Sequence, residues 1–373
     1  MRGRAAALAL LALTAGCFGG AAGPKPAALE PIEGLKAPRV LWRASVDAAG
    51  EFVLRPAHAS GAVFAAARDG TVARLAAADG REAWRVVLDK RLSAGVGADG
   101  RTVAVATEEG EVLALEAASG ELRWRARVSS EVLAPPIVSG ELVIVRSADS
   151  RVHALAADDG KRRWLYQRTP AALRLRTAQG LSMREGLLFA GFSGGKLVAL
   201  QRSNGALRWE ATVAVPKGAT ELERVADVVG DPAVIGREVC AVAFQGRVAC
   251  FDAESGNQLW GREFSSVTGV STDARYAFLS DARGAVHALD RTNGRSLWRQ
   301  DRLVHRRLTL PLPYGSSVAL ADLEGFVHLL SRESGAIVAR AATDGSAVRA
   351  APVALPGGIL VQTSAGGLYA LAF

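Results

Sequence analysis

A Gly-to-Trp cadence runs along almost the whole chain, and it rules out any fold built around one continuous core. In the stretch 109–128, EGEVLALEAASGELRWRARV, Gly110 is followed by an apolar residue two on, a Leu five on, a second Gly ten on and a Trp fourteen on. The first half recurs eight times, from Gly70, Gly110, Ser150, Gly195, Gly246, Gly284, Gly325 and Gly366. Ser150 alone breaks the Gly position and Phe251 alone the Leu position. The second Gly follows in seven copies (Gly80, Gly120, Gly160, Gly205, Gly256, Gly294, Gly335). A Trp sits four beyond it in six of these (Trp84, Trp124, Trp164, Trp209, Trp260, Trp298), and Ala339 takes the seventh place. Copies lie 40, 40, 45, 51, 38, 41 and 41 residues apart. Self-similarity at this period in short alternating strands predicts an all-β, eight-bladed β-propeller with four antiparallel strands per blade.

The unit reads directly from its residues. Glu109-Gly110 and Ser119-Gly120 are tight turns, where Gly supplies a positive φ that other residues resist. Residues 112–115 are small and branched apolar, suited to a buried strand, whereas 122–128 alternate apolar residues with Arg as a half-exposed outer strand does. Residues 136–147, PIVSGELVIVRS, read as the two inner strands of the following blade. One blade cannot bury both faces, so blades stack side by side in a ring, each Trp wedged on a neighbour as a packing residue. Eight third strands are followed by only seven outer strands, because the chain stops at Phe373. The stretch 40–46, VLWRASV, matches 122–128 in type and lies ahead of the first blade. It is therefore expected to complete the last blade and close the circle.

The organisation predicted is a leader at 1–16, a flexible tether at 17–38 rich in Gly, Ala and Pro, and the propeller at 39–373. Arg2 and Arg4, the apolar run 5–13 and the small residues before Cys17 read as an export signal too short to span a membrane. Leu13-Thr14-Ala15-Gly16-Cys17 resembles a bacterial lipobox with Leu one place early, making Cys17 the expected lipidation site. Phe18 follows it, where an Asp would hold a lipoprotein at the inner membrane, so the outer membrane is favoured. The net charge is +8, almost wholly Arg spread over outer strands. No basic block interleaved with aromatics appears, which argues against nucleic acid as a partner.

Candidate chemistry is sparse. His153, His287 and His328 share one repeat position with Ala, Val and Tyr, so no metal-ligand constraint acts on that slot and no metal is expected. No Ser-His-Asp set, phosphate-cradling loop or carboxylate pair stands out. Cys240 and Cys250 flank a hairpin turn. A type I turn with a Gly bulge would set them face to face, and a two-residue primed turn would set them on opposite faces. The two long intervals are more informative, because insertions in repeat proteins tend to line a binding face. The first contains 170–177, PAALRLRT, and the second contains 220–232, TELERVADVVGDP. Leu173 and Leu175 alternate with Arg and read either as a docking face or as the inner strand of blade 4.

With these residues in hand, the chain resembles the BamB family, lipoprotein subunits of the bacterial outer-membrane β-barrel assembly machinery. The segments that carry the resemblance are Leu173-x-Leu175-Arg176, residues 220–228, Leu303-Val304-His305-Arg306 and Glu324-Gly325-Phe326-Val327-His328. The resemblance implies a non-enzymatic, monomeric propeller without cofactor, docked on the periplasmic POTRA domains of the barrel subunit BamA. It also implies contact residues in a Leu-x-Leu-Arg segment and a nearby Asp-x-Asp. Leu173, Leu175 and Arg176 match the first, and Asp227 matches the first acid of the second. Val229 replaces the other acid, and Asp231 is the candidate substitute. Asp227 is expected to orient Arg176 or to meet a basic group on the partner. The competing readings are a quinoprotein-type dehydrogenase using pyrroloquinoline quinone and Ca²⁺, since the Gly-to-Trp repeat is shared with those enzymes, and an envelope scaffold with another partner. The absence of an adjacent Cys pair and of large insertions counts against the enzyme.

Overall fold

The computed structural model describes residues 24–31, 34 and 38–373. The leader, Cys17 and most of the tether lie outside them. Among the described residues the secondary structure is all strand, 32 strands in eight four-stranded antiparallel sheets. Blade 1 consists of Ala57–Ala59, Ala62–Ala66, Thr71–Ala76 and Glu82–Val87, hydrogen-bonded in that order. Blades 2 to 7 repeat the meander, with first strands that line the axis and fourth strands that face outwards. The second and third strands are buried almost throughout, as in Leu142–Ser147, while fourth strands such as Arg162–Gln167 alternate buried and exposed.

Blade 8 closes as the repeat count requires. Its first three strands are Val353–Leu355, Gly358–Gln362 and Gly367–Ala372, and its fourth is the N-terminal strand Arg39–Ser45. That strand pairs antiparallel with the last, Trp42 opposite Ala370 and Arg43 opposite Tyr369. The ring is thus fastened by hydrogen bonds between the two ends of the described propeller.

Seven of the eight junctions between blades are made by one Trp and one Gly. In every blade the pairing of third and fourth strands slips by one residue just before the Trp position, as at Ala154/Leu155 opposite Trp164. Such a bulge re-aims the following side chain, here out of its own sheet and onto the next blade. The indole Nε1 of Trp124 donates to the carbonyl of Ala157 at 2.9 Å, and Trp42, Trp84, Trp164, Trp209, Trp260 and Trp298 make the equivalent bond. The ring face lies on the turn Gly of that neighbour. Gly160 has φ +71°, and a Cβ there would stand 2.6 Å from the indole of Trp124. The same junction buries Ala104, Val112, Val143 and Leu155 around Trp124.

The missing eighth Trp now has a cause. Ala339 occupies the Trp position of blade 7, but blade 8 has no turn between its third and fourth strands, since these come from opposite chain ends. No turn Gly exists there to receive an indole. Cys240 and Cys250 face each other across the second and third strands of blade 5, so of the two possible registers the facing one forms, and the sulfurs are joined in a disulfide.

Candidate functional site

All hairpins between the second and third strands, and all links from a fourth strand to the next blade, emerge on one face of the ring. The Gly turns that receive the Trp rings emerge on the other. The two long repeat intervals expand links on the first face, at 168–180 after blade 3 and 213–227 after blade 4. Residues 170–178 form no strand, and the inner strand of blade 4 begins only at Leu181. Leu173 stands 42% exposed at the loop surface. Leu175 is partly buried against a core cluster containing Val229, Cys240 and Trp260.

The loop is held from beneath by Asp227, which is 1% exposed and accepts the backbone N–H of Leu175 at 2.7 Å. Burial raises the Asp227 carboxyl above the usual range even though that N–H bond opposes the shift. The second prop is Arg146, which donates to Gln179 at 2.6 Å and lies 4.4 Å over the ring of Phe192. Burial pulls its guanidinium down to about 9, with the charge of Asp227 acting in the other direction. Asp227 is therefore inside the protein and positions the loop backbone, and the expected pairing with Arg176 is not formed.

Arg176 takes different carboxylates. Its Nη2 donates to Glu108 at 2.7 Å and to Glu131 at 2.8 Å, bonds that raise the guanidinium pKa, Glu131 foremost. Glu108 also receives Arg68, which lies 4.1 Å over the ring of Phe52. These partners come from blades 1 and 2 and the link after blade 2, sites too distant in sequence for pairing to be read from it. Val229 is buried in the core at 1% exposure, so no acid could serve a partner from that position. Asp231 is accessible but points towards the axis, where it pairs with Arg55 at 2.9 Å. Arg55 enters beside blade 1, opposite blade 5, with its backbone bonded to Gly95 and Val96. The Arg55–Asp231 pair thus crosses the central channel. It floors a funnel of about 370 Å³ whose wall includes Phe52, Arg176, Val267 and Arg349.

The site therefore divides. Arg176 lines the funnel wall and Asp231 its floor, Leu173 is exposed on the same loop as Arg176, and Leu175 and Asp227 lie beneath as supports. Exposed apolar side chains that the repeat pattern did not mark extend this sector: Val215 and Leu222 on the link after blade 4, and Val267 on the link after blade 5. Among the described residues the remaining exposed large apolar side chains sit on outer strands or at the C-terminus. Leu222 was legible only as one apolar residue in a charged stretch. Among the described residues no group of three or more His, Cys, Asp or Glu is arranged to hold a metal ion. His153 instead bonds Ser129 and Ser147, His287 bonds Asp281 and His328 bonds Asp322.

An eight-bladed ring closed by its N-terminal strand, with irregular loops and an apolar sector on one face, defines a scaffold-type propeller with pyrroloquinoline-quinone-like repeats. The family model described as outer membrane protein assembly factor BamB matches residues 36–90, 68–300 and 282–373. The chain belongs to the BamB family. It is 41% identical to the assembly factor BamB of Bordetella pertussis over 345 residues, covering 92% of this chain and 89% of the relative. Identity to BamB of Pseudomonas aeruginosa is 46%, covering 88% of this chain and 87% of the relative, and to that of Escherichia coli 34%, covering 93% and 92%. Among solved structures, BamB from Moraxella catarrhalis superposes with a TM-score of 0.83 at 27% identity, over 90% of this chain and all of that one. A quinohemoprotein alcohol dehydrogenase from Comamonas testosteroni superposes with a TM-score of 0.70 at 13% identity, covering 90% and 76%, which shows a shared fold alone. The family is one of outer membrane protein assembly factors.

Proposed function

We propose that this protein serves outer-membrane protein assembly as a non-catalytic, lipid-anchored ring on the periplasmic side of the outer membrane, holding the POTRA domains of a BamA-like barrel subunit. Cys17 carries the lipid, and the links 168–180 and 213–227 make the contact. The observation that carries the reading is the construction of the first link. Its backbone is fixed from inside by Asp227, while Leu173 is left exposed and Arg176 is oriented by two carboxylates. A rigidly mounted apolar anchor beside a directional charge suits a protein partner, because little order has to be created on binding. Leu173, Arg176 and Asp231 are assigned to contact. Leu175 and Asp227 are assigned to support, so their loss weakens binding through the loop's shape.

The deciding experiment is co-purification of the barrel subunit with a Leu173→Ala, Arg176→Ala pair. Recovery is expected to fall at least about tenfold, the loss of ~1.4 kcal/mol or more from two hot-spot side chains, with the circular dichroism unaltered. Undiminished recovery would place the interface elsewhere on the ring.

A further inference from the structure

Two of the segments that set this chain apart from a generic propeller, 303–306 and 324–328, have no part in the docking sector. They lie between blades 6 and 7 and meet there in a buried network. Arg306 has a side chain only 2% exposed, and its Nε donates to Asp322 at 2.6 Å. Asp322 also takes His328 Nε2 at 2.8 Å. Nη2 of Arg306 reaches Glu324 at 2.6 Å. The loop is bent to deliver this guanidinium, with His305 at φ 61° and Arg307 at φ 50°, a region that side-chain-bearing residues seldom adopt.

One face of the guanidinium remains, and a distant part of the chain fills it. Nη1 of Arg306 donates to the carbonyl of Ala27 at 2.8 Å, and the N–H of Ala27 donates to the carbonyl of Val304 at 3.0 Å. Next along, Leu29 packs on the blade 6–7 core beside Trp298, Leu303 and Ile337. Glu30 is gripped from both sides, its carboxylate by Arg302 at 2.7 Å and its carbonyl by Arg340 at 3.3 Å. A buried guanidinium N–H without an acceptor is costly. The ring is built to receive this segment.

We propose that residues 27–30 are a strap that clamps the anchor-bearing N-terminus into the notch between blades 6 and 7, so that the ring hangs from a lipid surface by that rim. The proposal rests on the lipid at Cys17. The chain between the lipid and the strap is then Cys17 to Pro26, at most about 30 Å in contour length, instead of the whole stretch before the propeller. The docking links after blades 3 and 4 are two to three blades away around the ring. The strap therefore keeps the docking sector off the membrane-facing rim.

Two measurements on the full lipidated protein test this separately. In the first, hydrogen exchange at the Ala27 amide is expected to be at least about tenfold slower than in an Arg302→Glu, Arg340→Glu pair, as for an amide freed from a local structure. Free exchange in the unaltered protein would overturn the strap, with or without a lipid. In the second, the protein is bound to phosphatidylcholine vesicles carrying a nitroxide-headgroup lipid. A fluorescent non-natural residue replaces Arg299 or Arg125, exposed residues one beyond Trp298 and Trp124 on opposite blades. Quenching at 299 is expected to exceed that at 125 about twofold or more, given the short leash, and the Glu pair is expected to equalise them. Equal quenching in the unaltered protein would overturn the orientation. Failure to float with vesicles would defeat the anchor, and the orientation with it, while exchange at Ala27 still decides the strap.

Discussion

The two faces of the ring are built on opposite principles. On the turn face one event occurs seven times: an indole from one blade covers the turn Gly of the next and bonds a carbonyl beside it. A Cβ added at any of those Gly residues would approach the ring to 2.5–2.8 Å. On the loop face the links differ in length, charge and exposure, from the short 88–91 to the long 168–180 and 213–227. Uniformity on one side reflects a shared packing requirement, since every junction has to be sealed. Variety on the other reflects freedom from that requirement, which is where a specific surface can be made. The seam between blades 7 and 8 sharpens the contrast. It lacks a Trp–Gly junction and is packed instead by apolar side chains such as Ala339, Ile359 and Leu371, while the strand pairing that fastens the ring lies within blade 8.

Because that pairing joins the two ends of the ring, deleting 39–45 should have the largest effect of any change considered. It removes a whole outer strand together with Trp42, whose Nε1 bonds Ala77 at 2.9 Å in blade 1. The expected result is loss of the cooperative thermal transition by calorimetry. A shortened chain melting like the original would show that the ring holds without its latch. Next in size is Trp124→Ala, expected to cost about 3–5 kcal/mol in denaturant unfolding. Gly160→Val should cost a similar amount, because it both strains the backbone and displaces the same indole. The two costs should fall well short of additive when combined, since each breaks one contact. Additive costs would mean that the Trp and the Gly do not work as a unit.

This contrast also explains how much was legible. The period, the blade number, the outer-strand pattern and the closing strand follow from residues that repeat, because the repeat records a packing rule. The vacancy at Ala339 was visible, but its reason needed the topology. The loop face was readable only as excess length. That Leu173 would be exposed and Leu175 tucked in could not follow from an alternating Leu-Arg pattern, which predicts both on one side of a strand that does not form. Nor could the partners of Arg176 be foreseen, since Glu108 and Glu131 lie 68 and 45 residues away. Asp227 is recognisable as a candidate, but its bond to the Leu175 backbone is not, because burial of a carboxylate beneath a loop leaves no mark in sequence.

A smaller effect lies at the boundary between the faces. His153 sits in a third strand, buried, with its Nε2 near the hydroxyls of Ser129 and Ser147. Burial pulls its pKa down to about 4. Because the folded state resists this proton and the unfolded state accepts it near pH 6.5, His153 supports folding fully above that value. The support is lost as pH falls from 6.5 towards 4, a loss on the order of 2 kcal/mol. A His153→Gln variant should show a flatter fall of stability with acid over that window. An unchanged slope would assign the acid sensitivity to other groups.

The smallest stability effect is expected where the functional effect is greatest. Leu173 is exposed at the loop surface, and the ion pairs of Arg176 lie at the surface with its side chain 57% exposed. Such pairs contribute little to folding. The Leu173→Ala, Arg176→Ala pair should therefore shift unfolding by no more than about 0.5 kcal/mol, while it removes the barrel subunit from co-purification. Asp227→Ala provides the counterpart. It deletes an internal support and should lower both stability, by about 1–3 kcal/mol, and recovery of the partner. If the surface pair proved as destabilising as Asp227→Ala, the loop would be part of the ring's framework, and the division of labour between the two faces would not hold.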